Sequence, residues 1–357
     1  FIRKEWGRVF ILNLPLPFHG PLVRMKLNKG EELMCTSITF TTKNHYFGRN
    51  LDYEFSYGEE IAILPRNYPL SFRYLKEKKR HYALMGMAHI HNGYPLFYDG
   101  FNEKGLAIAG LNFVGNAKYN HPKGEGHDVA QYEFILYVLS SFQSVEEVKE
   151  SLKTLNICDT PFNEHYPCAE LHYLIADKKE AIVVEFQKEG THVYENSIGV
   201  LTNNPPYNIQ LALLDQYMGI TSKDPEKNFS HEIDFKRYSR GMGTNFLPGG
   251  LSSTSRFVKV AFTKFNSICE EDEISSINQF FHILDSVDQQ RGCCEFSSNK
   301  YEITIYSSCC NLDEGIYYYK TYGNHQINAV KLSNIDLEGE KLFSYALEEK
   351  EHINYQN

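Results

Sequence analysis

Ten short runs of this chain alternate apolar and polar residues with a period of two, and most follow one another across brief polar turns. They lie at 35–42, 46–52, 61–65, 82–90, 106–113, 171–176, 181–186, 301–307, 316–322 and 326–332. Turns as short as Asp177-Lys178-Lys179 leave no room for a crossover helix, so neighbouring strands are expected to pair antiparallel. Helical periodicity occupies 129–142, 209–217, 255–268 and 277–287. A further helix to Leu155 opens at Ser144-Val145-Glu146-Glu147, which has the form of a capping box. Helices flanking antiparallel strands predict two sheets packed face to face with helices outside, an α+β architecture.

The first run begins with Cys35, directly after Met34. A thiol attacks only as thiolate, and a free cysteine near pKa ~8.5 is mostly protonated at neutral pH. An α-amino group titrates near ~7.7–8.0 and can take that proton. If Met34 is removed, Cys35 therefore carries nucleophile and base on one residue. Taken alone, the same cysteine reads more readily as a small core residue.

Residues 1–34 differ from the rest of the chain. Arg3, Lys4 and Arg8 precede an apolar run, as in a secretory signal, but Asn13, Pro15 and Pro17 interrupt it and no small-residue cleavage site precedes Cys35. Lys29-Gly30-Glu31 can be encoded by a purine run that contains a bacterial ribosome-binding sequence, two codons before Met34. The expectation is a translated leader, with a removable propeptide as the alternative, and a single domain over 35–357. Without residues 1–34, Lys+Arg falls from 36 to 30 and Asp+Glu from 45 to 42, a formal charge of −12. That balance disfavours nucleic acid or an anionic membrane surface as partner. No apolar stretch of membrane-spanning length divides the chain.

The eight cysteines include two adjacent pairs, which rarely bridge each other, and a reducing cytoplasm is the simplest reading. Despite fourteen histidines there is no CxxC or HxxxH spacing, so neither a metal nor a cofactor is expected. Cys168, Cys269 or Cys310 paired with a distant histidine would be the thiol-protease alternative, but no local signature of those families surrounds them.

Six blocks then occur in order: Cys35-Thr36-Ser37, Phe47-Gly48-Arg49-Asn50-Leu51-Asp52, Asp99-Gly100-Phe101-Asn102-Glu103-Lys104-Gly105-Leu106, Leu111-Asn112-Phe113, Gly199-Val200-Leu201-Thr202-Asn203 and Ser255-Arg256-Phe257. In this order the chain, from residue 34 to about 335, resembles the choloylglycine hydrolase family of N-terminal-nucleophile hydrolases, which includes bile salt hydrolases and penicillin V acylases. The resemblance implies a four-layer αββα sandwich and a homotetramer. It also implies hydrolysis of an amide by Cys35, with Asn203 donating to the oxyanion from its side chain and Asn112 from its backbone. Asp52 would accept from the α-amino group, and Arg49 and Arg256 would favour thiolate and oxyanion.

Each of these has a plainer reading. Arg49 and Asp52 could be a strand-end ion pair, and Asn203 before Asn204-Pro205-Pro206 could be turn chemistry. Arg256 at a helix start opposes the macrodipole, which argues that something else requires it. Gly249-Gly250 departs from the Pro-Gly-Asp of many members, which puts only that loop's geometry in doubt. A non-catalytic binding protein on the same fold is the remaining alternative, against which all six matching positions speak.

Asn112 resembles the bile-salt-cleaving members, whereas penicillin-preferring ones often carry tyrosine there. The expected substrates are glycine- or taurine-conjugated bile salts, with penicillin V or another N-acyl amide as the alternative. Leu51, Phe55, Tyr57, Phe162 and Tyr166 are the candidates to line an apolar cleft for the acyl group, with Pro161 and Pro167 stiffening the last two.

Overall fold

The structure, a computed structural model, describes residues 34–357; the expected leader, residues 1–33, lies outside the described residues. In chain order the strands of its two large sheets begin with β1 Cys35–Thr41, β2 His45–Tyr53, β3 Glu60–Leu64, β4 Leu84–His91, β5 Tyr94–Asn102 and β6 Ala107–Asn112. They continue with β7 Leu171–Ala176, β8 Ala181–Gln187, β9 Gly190–Glu195 and β10 Val200–Leu201. The last four are β11 Ile303–Asn311, β12 Ile316–Thr321, β13 Asn324–Lys331 and β14 Phe343–Ala346. One sheet has the order β10-β1-β2-β11-β12-β13 and the other β9-β8-β7-β6-β5-β4-β3-β14, antiparallel throughout.

The helices are α1 Phe134–Ser141, α2 Val145–Leu152, α3 Tyr207–Leu214, α4 Ser253–Asn266 and α5 Glu273–Asp285. Phe257 of α4 with Phe280 and Phe281 of α5 cover the outer face of the first sheet, and Phe134, Leu139 and Val148 cover that of the second. Phe47, Met87, Phe101, Leu174 and Tyr306 are buried in one cluster that the inner faces of both sheets share. Alternation along each strand supplies an apolar set to each face, which is why both sheets are covered twice. The result is the expected αββα sandwich.

Three details differ from the expectations. The segment 129–142 is not one helix: Asp128–Ala130 is extended and pairs in parallel with Asn156–Cys158, and the α-helix starts at Phe134. Asp128 holds it open, accepting from the backbone of Lys123 at 2.9 Å and Gly124 at 2.6 Å and from Asn156 Nδ2 at 2.6 Å. The box at Ser144 is half formed: Ser144 Oγ accepts from Glu147 N at 3.3 Å, but Glu147 turns to Gln143 N at 2.9 Å. The alternation also missed the edge strands β9 and β14, the two-residue β10 and, more consequentially, β5, whose Pro95, Asp99 and Gly100 dilute its pattern. Its neighbour is joined by Asn92-Gly93 at φ 52° and 80°, the two-residue hairpin turn that such a pair favours.

Gly48 fixes how closely β2 approaches β11. A Cβ there would stand 2.0 Å from the Ser308 carbonyl oxygen, so only glycine fits.

Candidate active site

Cys35 is the first residue of β1 and sits opposite Leu51 of β2, with Arg49 diagonally across on the same, inner face. The thiol is buried, and Arg49 Nη2 lies 2.7 Å from its sulfur. Burial pushes the Cys35 thiol up; Arg49 is the chief influence in the other direction, helped by the Asp52 N–H and Arg256, while the Asp52 charge adds to the rise.

Arg49 is itself anchored in the second sheet. There β5 and β6 are paired from Phe101 with Ala107 to Asp99 with Ala109 and then part, at a bulge where Tyr98 is the extra residue against β4. Arg49 Nη1 enters the gap, donating to the carbonyls of Gly110 at 2.6 Å and Tyr98 at 3.3 Å. A guanidinium thus replaces a missing rung of the ladder, and the splayed strands leave a cleft above the thiol. Below it lies Asp99, buried, accepting from the hydroxyls of Tyr306 and Tyr317 at 2.6 Å each.

Asn203 follows β10. Its Oδ1 accepts from the Cys35 nitrogen at 2.8 Å and from Arg256 Nη2 at 2.7 Å, and its Nδ2 donates to the Asn112 carbonyl at 2.9 Å. The backbone is pinned on both sides, with N donating to Ser253 Oγ at 2.8 Å and O accepting from Gln210 Nε2 at 2.5 Å. Asn112 ends β6 opposite Leu171, and the next residue, Phe113, donates its N–H to Glu170 O at 2.7 Å. By antiparallel alternation the Asn112 N–H then points the other way, into the gap that β5 leaves.

Arg256 lies in the first turn of α4 and is completely buried. Its unfavourable place in the helix dipole is offset by four acceptors: Leu251 O at 2.9 Å, Cys35 O at 2.5 Å, Thr36 Oγ1 at 2.6 Å and Asn203 Oδ1.

Asp52 differs from its expected contact. Its side chain alternates to the outer face, where Oδ1 accepts from Thr304 Oγ1 at 2.6 Å and Oδ2 is buried without a hydrogen-bond partner among the described residues. The Cys35 nitrogen is joined to Met34 and its one hydrogen goes to Asn203; Asp52 meets this junction through its backbone, N–H to Met34 O at 3.1 Å. Burial raises the Asp52 carboxyl to about 6 against the pull of Arg256, Thr304 and Arg49. Glu302, just before β11, accepts from Met34 N at 3.2 Å and is raised to about 8, by burial first and then by Asp52. Sequence reasoning missed Glu302, Thr304 and Asp99, and nothing local distinguishes Glu302 and Thr304 within an alternating strand.

The cleft encloses about 240 Å³. Cys35, Asn112 and Arg49 lie at its floor, and Leu51, Tyr57, Phe162 and Tyr166 are among its walls, with Leu96, Tyr98, Ile135 and Leu171. Phe55 is not among the lining residues: its ring packs 4.7 Å from Tyr53 and 4.9 Å from Tyr57, behind the wall. His89 Nε2 faces Tyr166 OH at 3.0 Å, a polar pair in a largely apolar surface. Among the described residues no group of three or more His, Cys, Asp or Glu could hold a metal ion. The arrangement offers a thiol beside a guanidinium, two amide donors and an apolar trough, the requirements of acyl transfer from an amide with a bulky apolar acyl group.

The model of the choloylglycine hydrolase family of linear amide C–N hydrolases matches residues 35–345. The bile salt hydrolase/transferase of Lactiplantibacillus plantarum is 50% identical over 314 residues, 88% of this chain and 97% of that protein. A mutant of the conjugated bile acid hydrolase from Clostridium perfringens superposes with a TM-score of 0.84 at 40% identity, over 90% of this chain and all of that one. Penicillin V acylase from Agrobacterium tumefaciens, 20% identical, shares the fold with a TM-score of 0.70 over 87% of this chain and 90% of its own.

Proposed function

Because the chain belongs to the choloylglycine hydrolase family, with the N-terminal-nucleophile hydrolase fold, we propose a course for its hydrolysis of conjugated bile salts. The enzyme cleaves the linear amide C–N bond that joins the bile acid to glycine or taurine and releases both. The observation that carries the reaction course is the convergence on Cys35 of Arg49 at its sulfur and Asn203 at its nitrogen, at the floor of an apolar cleft.

The amine of an N-terminal Cys35 takes the thiol proton, and the thiolate attacks the amide carbonyl. Asn203 Nδ2 and the Asn112 N–H receive the oxyanion. As the C–N bond breaks, the ammonium returns its proton to the leaving amine and a thioester remains on Cys35. Water, deprotonated by the same amine, then attacks the thioester and frees the carboxylate and the thiol. A free amine has hydrogens to spare beyond the one held by Asn203, and Asp52 lies on the side where Met34 is now attached. The match of the family model from residue 35 supports Cys35 as the first residue of the mature enzyme, with 35–357 as one domain.

The partner of the enzyme beyond its substrate is a second copy of itself, a tetramer by family likeness. Met218, Phe229, Tyr238 and Phe246 stand 79–86% exposed on the excursion between α3 and α4, apolar surface of the kind that association covers. Eight unbridged cysteines support a reducing cytoplasm as its location. No helix among the described residues is long and apolar enough to cross a membrane.

Amino-acid release from glyco- and tauro-conjugates, measured beside penicillin V, tests the substrate assignment. A higher kcat/KM for penicillin V overturns it. Light scattering on the purified protein tests the oligomer.

A further inference from the structure

One buried imidazole touches both segments that carry the oxyanion donors. His172 on β7 has no exposed surface, and its cross-strand partner on β8 is Glu185, also fully buried. The His172 ring lies 4.4 Å from that of Phe113 with an interplanar angle of 8°, a stack on the residue directly after Asn112. Its Nε2 is 2.9 Å from the carbonyl oxygen of Thr202, the residue directly before Asn203. A carbonyl can only accept, so Nε2 carries the hydrogen. Nδ1 faces Glu185 Oε1 at 3.1 Å. Glu185 is held in turn, Oε1 accepting from Tyr207 N at 2.9 Å and Oε2 from Gln187 Nε2 at 2.7 Å.

We propose that His172 is a positioning residue which, braced by Glu185, fixes the Asn112 and Asn203 donors relative to each other and so sets the geometry of the oxyanion site. Asn112 ends a strand of one sheet and Asn203 follows a strand of the other; at the cleft Asn203 Nδ2 reaches the Asn112 carbonyl, and on the far side Asn204 donates to Val114 O at 2.9 Å and accepts from Asn116 Nδ2 at 2.8 Å. A tie between the two sheets beneath that meeting point is what keeps two donors aimed at one oxygen, and such donors lose their effect when displaced by a fraction of an ångström to an ångström. The ring of His172 supplies it, stacked on the strand of one donor and bonded to the segment of the other.

The proposal rests on Asn112 and Asn203 serving as the oxyanion donors. Its test compares two substitutions of similar polarity, on whichever amide the wild-type enzyme cleaves best. In His172→Gln the amide reaches the position of Nε2 and can still donate to Thr202; in His172→Asn it reaches only the position of Nδ1 and can meet only Glu185. The Asn variant is expected to lose about 10- to 100-fold in kcat with KM within about threefold, while the Gln variant keeps kcat within about threefold. An aldehyde analogue of the acyl group, which forms a tetrahedral adduct on Cys35, should weaken in step with kcat/KM in the Asn variant. The free acid, which forms none, should bind as before. Equal losses in both variants, or a kcat within twofold of wild type in the Asn variant, overturn the proposal. Should the Asn variant fail to fold, Phe113→Leu removes only the stacking ring; about a tenfold lower kcat with KM unchanged is expected, and an unchanged kcat overturns it. Asn203→Ala run alongside separates the two readings. If it loses activity and His172→Asn does not, His172 alone is wrongly assigned; if neither loses activity, the oxyanion roles themselves fall.

Discussion

Arg49 donates to Cys35 Sγ from one nitrogen at 2.7 Å and, from the other, to the carbonyl of Gly110 on the opposite sheet at 2.6 Å. One guanidinium therefore serves the thiol and closes the frayed ladder between β5 and β6. Lysine can supply the charge but not this fork. Arg49→Lys is expected to lower stability by about 1–3 kcal/mol, the cost of a buried carbonyl left unpaired, and kcat/KM by at least tenfold. Urea unfolding and steady-state kinetics on the same preparation check both. Loss of activity without loss of stability would show that the carbonyl contacts are incidental.

Cys35→Ser in a chain beginning at Met34 should fold and lose nearly all activity, since a hydroxyl is a far poorer nucleophile for an amine base of pKa near ~8. Turnover within about tenfold of wild type would contradict the assignment of the nucleophile.

Asn203→Ala removes the acceptor for the Cys35 nitrogen and one oxyanion donor together. A fall of about 10²- to 10³-fold in kcat is expected, with a smaller change in KM. Single-turnover measurements should place the defect in acylation.

A chain in which Met34 stays attached leaves the Cys35 nitrogen an amide, with no basic lone pair for the thiol proton. Such a protein should show the same circular dichroism as one with a free Cys35 amine, and no turnover. Intact-protein mass beside activity decides this, and full activity with Met34 in place would send the search for the base to Asp52.

In that Met34-bearing form the Asp52 carboxyl, raised from 3.8 to about 6 chiefly by burial, favours its proton in the folded state. Between those values the folded protein binds more protons than the unfolded chain. The contribution is therefore fully present below about pH 4 and is lost as pH rises through about 6. Asp52→Asn should unfold at higher denaturant than wild type at pH 7, by up to about 2–3 kcal/mol, and match it below pH 4. A variant less stable at pH 7 would show that the charge is favourable in the fold.

The reactive corner was legible where it is local. Cys35, Arg49, Leu51 and Asp52 lie on two strands joined by a tight turn, so spacing alone sets their faces, and it puts Asp52 on the outer one. Thr304 reaches the site through the pairing of β2 with β11, 252 residues from Asp52, and brings Glu302 just before the strand with it; alternation within β11 does not say which face meets what. His172 reads in the sequence as one more polar residue in a strand; only the stacking of two sheets makes it a tie. The missed β5 was recoverable from Asn92-Gly93, whereas the extended start at 128–130 depends on Asp128 meeting Asn156, which no local pattern announces.

Arg256 binds the carbonyl of Cys35 and the amide of Asn203 at once, and it comes from the last third of the chain. A ribosome therefore delivers the nucleophile first and its setting last. An N-terminal fragment whose first strands pair holds the thiol and Arg49 but neither Asn203 nor Arg256, and the cleaving reaction arrives only when the segment from Asn203 to Glu302 closes over the strand that was made at the start.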